Sequence, residues 1–234
     1  MKIQSSVALV TGANRGLGLA FAKALVERGA KKVYAAAREP QAIQLPGVVP
    51  LRLDVTDAAQ VAEAARLAGD VDLLINNAGI ARMTGLLGER TLDALRAELD
   101  TNVLGPLALA RAFGPALARR GGGAIVNVLS VLSWLAIPDL ATYSVSKSAA
   151  WALTNGLRAE LRAQGTQVLG LHVGYMDTDM ARHAPGPKAA PDDVVRQTLD
   201  ALEAGASEVL ADELTRQVKA SLSTTGAAYL GERS

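Results

Sequence analysis

The chain has 234 residues, half of them apolar, which is enough for one large core and short for two, so a single domain over 1–234 is expected. Its 24 basic and 23 acidic residues nearly cancel, leaving no field that would mark nucleic acid or an anionic membrane as a partner. With no cysteine and only two histidines, His172 and His183, disulfides and thiolate metal centres are excluded, and no metal site is expected.

The first apolar run begins at Val7, after a polar lead too short for a secretion signal, so a cytoplasmic location is the expectation. Residues 7–11 predict a strand that runs into Thr11-Gly12-Ala13-Asn14-Arg15-Gly16-Leu17-Gly18, with a helix predicted over 17–28. Glycines here let the backbone turn sharply and approach a pyrophosphate, and the helix N-terminus offers unpaired amides and a positive dipole end. The Gly-x3-Gly-x-Gly spacing also suits a plain strand-to-helix turn; its place after the first strand favours a dinucleotide. No Gly-Lys-Ser/Thr follows, which disfavours an ATPase loop.

A second strand, 32–37, leads to Arg38, at the position about 20 residues past the last glycine where an acidic side chain favours NAD and an arginine NADP. Arg38, helped by Arg15, therefore favours NADP(H). Glu39 on a ribose hydroxyl is the competing reading, as is a merely exposed Arg38. The connection from Arg38 to Val48 is bracketed by Pro40 and Pro46 and is too short for much helix.

Further strands are predicted at 48–53, 72–76, 124–129, 167–172 and 208–210, with helices over 58–67, 92–119, 142–163 and 191–204. The alternation predicts a Rossmann-type, doubly wound α/β fold: a parallel sheet of about seven strands, helices on both faces, and ligands at the carboxyl ends of the strands. The apolar stretch 124–141 is interrupted by Asn127, Ser130, Ser133, Pro138 and Asp139, too polar for a membrane span. The tail 221–234 has no periodicity and is expected to be disordered or to dock on a neighbour.

In Tyr143-Ser144-Val145-Ser146-Lys147 the end residues are four apart and share a helix face. A phenol ionises near pH 10, too high for proton exchange at neutrality, and an adjacent cation favours the phenolate. Any solvated helix can carry such a pair, so its meaning depends on its company.

That company is Thr11-Gly12-x3-Gly16-x-Gly18, Asn76-Asn77-Ala78-Gly79, Asn102 and Ser130, in this order, with Ser130 thirteen residues before Tyr143. Together they resemble the shorter, non-extended branch of the short-chain dehydrogenase/reductase family, over about residues 6–180. The resemblance implies Tyr143 as acid in carbonyl reduction and base in alcohol oxidation, with Ser130 donating to the substrate oxygen. Lys147 would hold the nicotinamide ribose and lower the tyrosine pKa, and Asn102 a water linking Lys147 to solvent.

For the cofactor, the likeness implies contacts from Gly12, Asn14, Arg15, Gly16, Leu17, Gly18, Arg38, Asp54, Val55, Asn76, Ala78, Gly79, Tyr143, Lys147, Gly174, Met176 and Thr178. Asp54 as a turn residue and Asn76 and Asn77 as ties between strands remain alternatives. Val173-Gly174 replaces the family's usual Pro-Gly, so that loop loses a fixed dihedral.

The substrate pocket is expected between the loop after Gly79, segment 132–140 and a lid at 175–190. Trp134, Ile137, Met176 and Met180 make it apolar, although each also suits ordinary packing, and His172 reads as a strand residue. The expected function is an NADP(H)-dependent carbonyl reductase or alcohol dehydrogenase for a hydrophobic ketone, aldehyde or secondary alcohol. NAD(H) dependence and a non-catalytic NADP(H)-binding regulator are the alternatives. A homotetramer or homodimer is expected through helices 92–119 and 142–163, with Ala149, Ala150 and Ala152 allowing close approach.

Overall fold

The computed structural model describes residues 1–177 and 188–231. Seven strands form one parallel sheet: β1 (Val7–Thr11), β2 (Lys32–Ala37), β3 (Val49–Arg52), β4 (Leu73–Asn76), β5 (Ala124–Val128), β6 (Gln167–His172) and β7 (Glu208–Leu210). Their spatial order is β3-β2-β1-β4-β5-β6-β7. All of β1 and β4 is buried, as continuous apolar runs require when a sheet is covered on both faces.

Helices α1 (Gly16–Glu27) and α6 (Pro191–Glu203) close one face with Phe21, Leu25, Val195 and Leu199. Helices α2 (Ala58–Leu67), α4 (Gly105–Arg119) and α5 (Ala141–Glu160) close the other with Val61, Leu109, Phe113 and Leu157. The chain's two phenylalanines, Phe21 and Phe113, thus sit fully buried on opposite faces. Truncating either to alanine is expected to cost about 3–5 kcal/mol.

The chain winds outward from β1 to β3 and then returns to β4 on the other side of β1. That reversal leaves a crevice at the carboxyl ends of β1 and β4, the place where doubly wound sheets bind ligands. The expected doubly wound fold is therefore the one found.

Four details differ from, or sharpen, the sequence reading. The helix expected over 92–119 is α3 (Thr91–Leu99), a π turn at Asp100–Leu104 and then α4. Between Arg38 and β3 only a 3-10 turn at Pro40–Ala42 remains, as the two prolines foretold. An unforeseen helix, α7 (Glu213–Ser221), buries Thr215 and Val218 and starts where the Asp212 carboxylate accepts the Thr215 N–H. The described part of the tail, to residue 231, docks on its own chain: Ala227 is buried and the Ala228 N–H donates to the Ser221 hydroxyl at 3.1 Å. No helix among the described residues is long and apolar enough to cross a membrane.

Candidate active site

The turn from β1 to α1 carries Gly12 at φ 65° and Gly16 at φ 54°, conformations that side chains resist. At Gly18 a Cβ would stand 2.2 Å from the Gly12 carbonyl oxygen, so α1 can settle on the turn only with glycine there. Arg15 occupies the N-cap in an extended conformation, and among the described residues no side chain caps the helix. The first amides of α1 therefore point out of the crevice end of β1 with a helix dipole behind them, a terminus suited to phosphate. Asn14, Arg15 and Gly16 are exposed there and Leu17 is buried beneath. Arg38 is exposed just past β2, at the same end of the sheet. These residues fit a dinucleotide's phosphates.

The crevice floor is tied by neutral groups. The Thr11 hydroxyl accepts the N–H groups of Asn77 and Ala78, both at 3.0 Å, and donates to Ile75 O at 3.3 Å. Asn77 Nδ2 donates to Thr11 O at 2.8 Å, so this asparagine joins β1 to β4. Asn76 donates to Asn127 Oδ1, and Asn127 in turn to Thr154 Oγ1, crossing from sheet to α5. Asp54 Oδ1 accepts from the amide and hydroxyl of Thr56, an Asx turn that presents Asp54 and the buried Val55 past β3.

Asn102 lies inside the π turn, buried, where one inserted residue re-aims the helix. Its amide accepts from Ile80 N and donates to Ile80 O, both at 2.9 Å, fixing the loop that follows Gly79. The same amide donates to Ser146 Oγ at 2.9 Å, and Ser146 donates to Tyr143 O at 2.7 Å. Lys147 Nζ donates to Val128 O at 2.8 Å and lies 5.6 Å from the centre of the Tyr143 ring. Ser130, just past β5, accepts the Leu132 N–H at 3.1 Å and lies close enough to the Tyr143 phenol to favour its ionised form. Tyr143, Lys147, Ser130 and Asn102 are thus brought together from three elements.

A cavity of about 10 Å³ lies between Asn76, Ala78, Asn102, Asn127, Val128 and Lys147, room for one water. Asn76 Oδ1, which lacks a partner among the described residues, is a buried acceptor for such a water.

Burial holds the Tyr143 proton well above the usual phenol range, the Glu98 carboxylate adds to this, and the nearby Ser130 opposes it. Burial also pushes the Lys147 ammonium down to about 8. Desolvation of the phenol is the largest of these influences, and the lowering expected from Lys147 is not among them. Glu98 itself escaped sequence reading, yet Ala94, Glu98 and Asn102 fall at four-residue steps on one buried helix face. Glu98 is fully buried; its Oε1 accepts the Arg82 N–H at 2.7 Å. Thr142 donates to Thr84 O, so Asn102, Glu98 and Thr142 grip the loop at alternate residues Ile80, Arg82 and Thr84.

After β6 the Gly174 N–H donates to Asp212 Oδ2 at 2.6 Å, so Asp212 fixes the loop that lacks proline. Met176 pairs with Ala189 in a short parallel bridge. Thr178, Met180 and His183 lie outside the described residues. Of the two readings of Trp134, pocket lining or ordinary packing, the structure shows the packing: it is buried, with His172 stacked on it and Lys219 over its ring, and forms part of a small core with Val131, Leu132 and Val218.

The family model for short chain dehydrogenases matches residues 6–188. A short chain dehydrogenase from Burkholderia cenocepacia J2315, solved in complex with NADP, is 45% identical; the match covers 96% of this chain and 95% of that one, with a TM-score of 0.92. A galactitol 2-dehydrogenase (L-tagatose-forming) from Cereibacter sphaeroides is 39% identical over 76% of this chain and 74% of its own length. A short chain dehydrogenase/reductase from Burkholderia phymatum, solved in complex with NAD, is 27% identical over 95% of this chain and 93% of that one, at TM-score 0.82. The matches span 45% to 64% of the length of the first curated relatives. From the match over residues 6–188 and from these relatives, the chain belongs to the short chain dehydrogenase/reductase family.

Proposed function

We propose that the chain, one domain over 1–234, is an NADP(H)-dependent carbonyl reductase or alcohol dehydrogenase acting on a hydrophobic ketone, aldehyde or secondary alcohol. The observation that carries this reading is the convergence of Ser130, Tyr143, Lys147 and Asn102 beside a phosphate-ready turn at the carboxyl ends of β1, β4 and β5. When bound, the nicotinamide supplies or accepts the hydride at the substrate carbon.

The chain's own groups handle the oxygen. Tyr143 gives its proton to that oxygen in reduction and takes it back in oxidation, while Ser130 donates a second hydrogen bond to the developing charge. The raised phenol pKa keeps Tyr143 protonated, the form that reduction consumes. Lys147 stabilises the phenolate after transfer, and the small cavity that it lines together with Asn102 has room for one water that would connect them.

Gly12, Asn14, Arg15, Gly16, Leu17 and Gly18 would hold the cofactor phosphates, and Asp54, Val55, Asn76, Ala78 and Gly79 the adenosine half. Tyr143 and Lys147 would meet the nicotinamide ribose, and Gly174, Met176 and Thr178 the carboxamide. The exposed Arg38, and the NADP bound by the 45% identical relative, support NADP(H). The NAD-bound relative and Glu39 support the other cofactor less directly.

The test is NADPH oxidation with a panel of hydrophobic ketones and aldehydes, in parallel with NADH and with Tyr143→Phe. Preference for NADPH and a loss of at least about 100-fold in the variant are expected. Tight cofactor binding without turnover would instead mean a regulator, and equal use of NADH would overturn the NADP(H) reading.

Homo-oligomerisation is part of the proposal, through a face carrying the exposed Leu92, Leu104 and Val145. Ala149 and Ala152 can contribute to it, but Ala150 is buried within the subunit. A monomer in sedimentation at micromolar concentration would refute it.

A further inference from the structure

We propose that His172, braced by Glu208 and Lys219, is a positioning residue for Ser130. The proposal rests on the reading of Ser130 as the donor to the substrate oxygen.

His172 is the last residue of β6, fully buried and next to β5. Its Nδ1 lies 3.2 Å from the Ser130 carbonyl oxygen. A carbonyl can only accept, so Nδ1 carries the proton. Ser130 begins the 3-10 turn Val131–Ser133, which ends at Trp134. The Trp134 ring stacks on the same imidazole, with centroids 3.9 Å apart and planes 19° from parallel. One ring therefore holds both ends of the turn that carries the serine, by a hydrogen bond at its start and a stacked face at its close.

The imidazole is itself braced from elements far along the chain. Nε2 lies 3.3 Å from Glu208 Oε1 on β7, short of hydrogen-bond geometry, and the contact attracts when Nε2 as well as Nδ1 carries a proton. Lys219 Nζ on α7 reaches the same carboxylate oxygen at 3.0 Å. It also lies 4.7 Å from the Trp134 ring centre and 5.8 Å from that of Trp151 on α5. Trp151 meets Trp134 edge to face, with centroids 6.1 Å apart.

An apolar side chain would fill this buried position without the desolvation penalty of an imidazole. What the imidazole adds is a directed donor, aimed at the backbone of the serine that faces Tyr143. A hydroxyl displaced by a fraction of an ångström still binds substrate, but it stabilises the developing oxygen charge less.

The experiment compares His172→Asn, whose amide nitrogen takes the Nδ1 position, with His172→Gln, whose nitrogen takes the Nε2 position. Glu208→Gln and Lys219→Met probe the brace from the surface, and every variant is repeated on Ser130→Ala. Loss of the Nδ1 donor in His172→Gln is expected to lower kcat about 10- to 100-fold with NADPH Kd unchanged, and His172→Asn to restore most of it. The surface variants are expected to lose a few-fold in kcat, and all these losses to vanish on Ser130→Ala.

A second readout is independent of turnover. With His183 replaced by alanine, His172 is the remaining histidine of two, and nitrogen NMR of the full chain is expected to report a protonated Nδ1. An unprotonated Nδ1, equal losses in the Asn and Gln variants, or losses that add to Ser130→Ala would each overturn the positioning role. If the buried variants do not fold, Glu208→Gln, Lys219→Met and the NMR measurement decide. Full activity of Ser130→Ala would remove the serine's role itself, and this proposal with it.

Discussion

The two sides of the molecule that frame the site are fastened by different chemistry. On the β1–β4 side the loops are held by groups that do not titrate: Thr11, Asn77 and Asn102, bonded to main-chain N–H and C=O. On the β6–β7 side they are held largely by charge: Asp212 on Gly174, and Glu208 between His172 and Lys219. The first side ties residues of the recognised motifs to one another. The second ties the site to α7 and β7, where no motif lies. One half should therefore be indifferent to pH and the other responsive.

The largest expected effect is on the neutral side. Thr11→Val keeps the volume but leaves the amides of Asn77 and Ala78 without their shared acceptor. At about 1–3 kcal/mol for each buried donor left unpaired, and toward the lower end here because Asn77 and Ala78 are only half-buried, a loss of about 2–4 kcal/mol is expected. Denaturant unfolding should give the same loss at pH 5 and pH 8. A pH-dependent loss would mean that the crevice, too, depends on charge.

Glu208→Gln should behave in the opposite way. The imidazole of His172, and then Lys219, hold the Glu208 carboxyl down to about 2 from an ordinary 4.5. A depressed acid contributes stability that is full above its unfolded pKa, near 4.5, and is lost as pH falls through its folded value, near 2. The shift sets a ceiling of about 3 kcal/mol, which partial exposure of the carboxylate reduces to about 1–2 kcal/mol. Unfolding curves should show the wild-type advantage at pH 6, a shrinking one below 4.5 and none near 2. An advantage that stays constant into acid would show that packing, not charge, holds this side.

The same division explains what was legible in the sequence. Continuous apolar runs revealed the strands, and the motif residues other than Asn102, which sits in the π turn, fall at strand ends or on the face of α5. The π turn was not legible, because residues 92–119 keep helical periodicity through it and the inserted residue leaves no compositional mark. Helix α7 was missed because its mostly polar sequence buries few side chains. The partners of Ser130 were missed for a different reason. His172, Glu208 and Lys219 have ordinary neighbours in sequence and meet only because β7 and α7 follow β6 at the sheet edge. Trp134 could be read as pocket lining or as packing for the same reason, since nothing local reveals that His172 covers its face.

The smallest expected effect concerns a charge that sits on the neutral side and would blur the division. Glu98 is fully buried, and its Oε2 has no partner among the described residues. Its negative charge adds to burial in keeping the Tyr143 proton in place, while Lys147 Nζ, one turn further along α5, lies 5.6 Å from the ring centre. Glu98→Gln keeps an oxygen for the Arg82 N–H and removes only the charge, so loop 80–84 should stay gripped. The phenol should then release its proton more readily. The pH dependence of kcat should move toward lower pH by up to about one unit, or 1.4 kcal/mol, for alcohol oxidation and carbonyl reduction alike. An unchanged profile with a raised substrate KM would make Glu98 a support for the loop alone, and the division between a neutral and a charged half would then hold without exception.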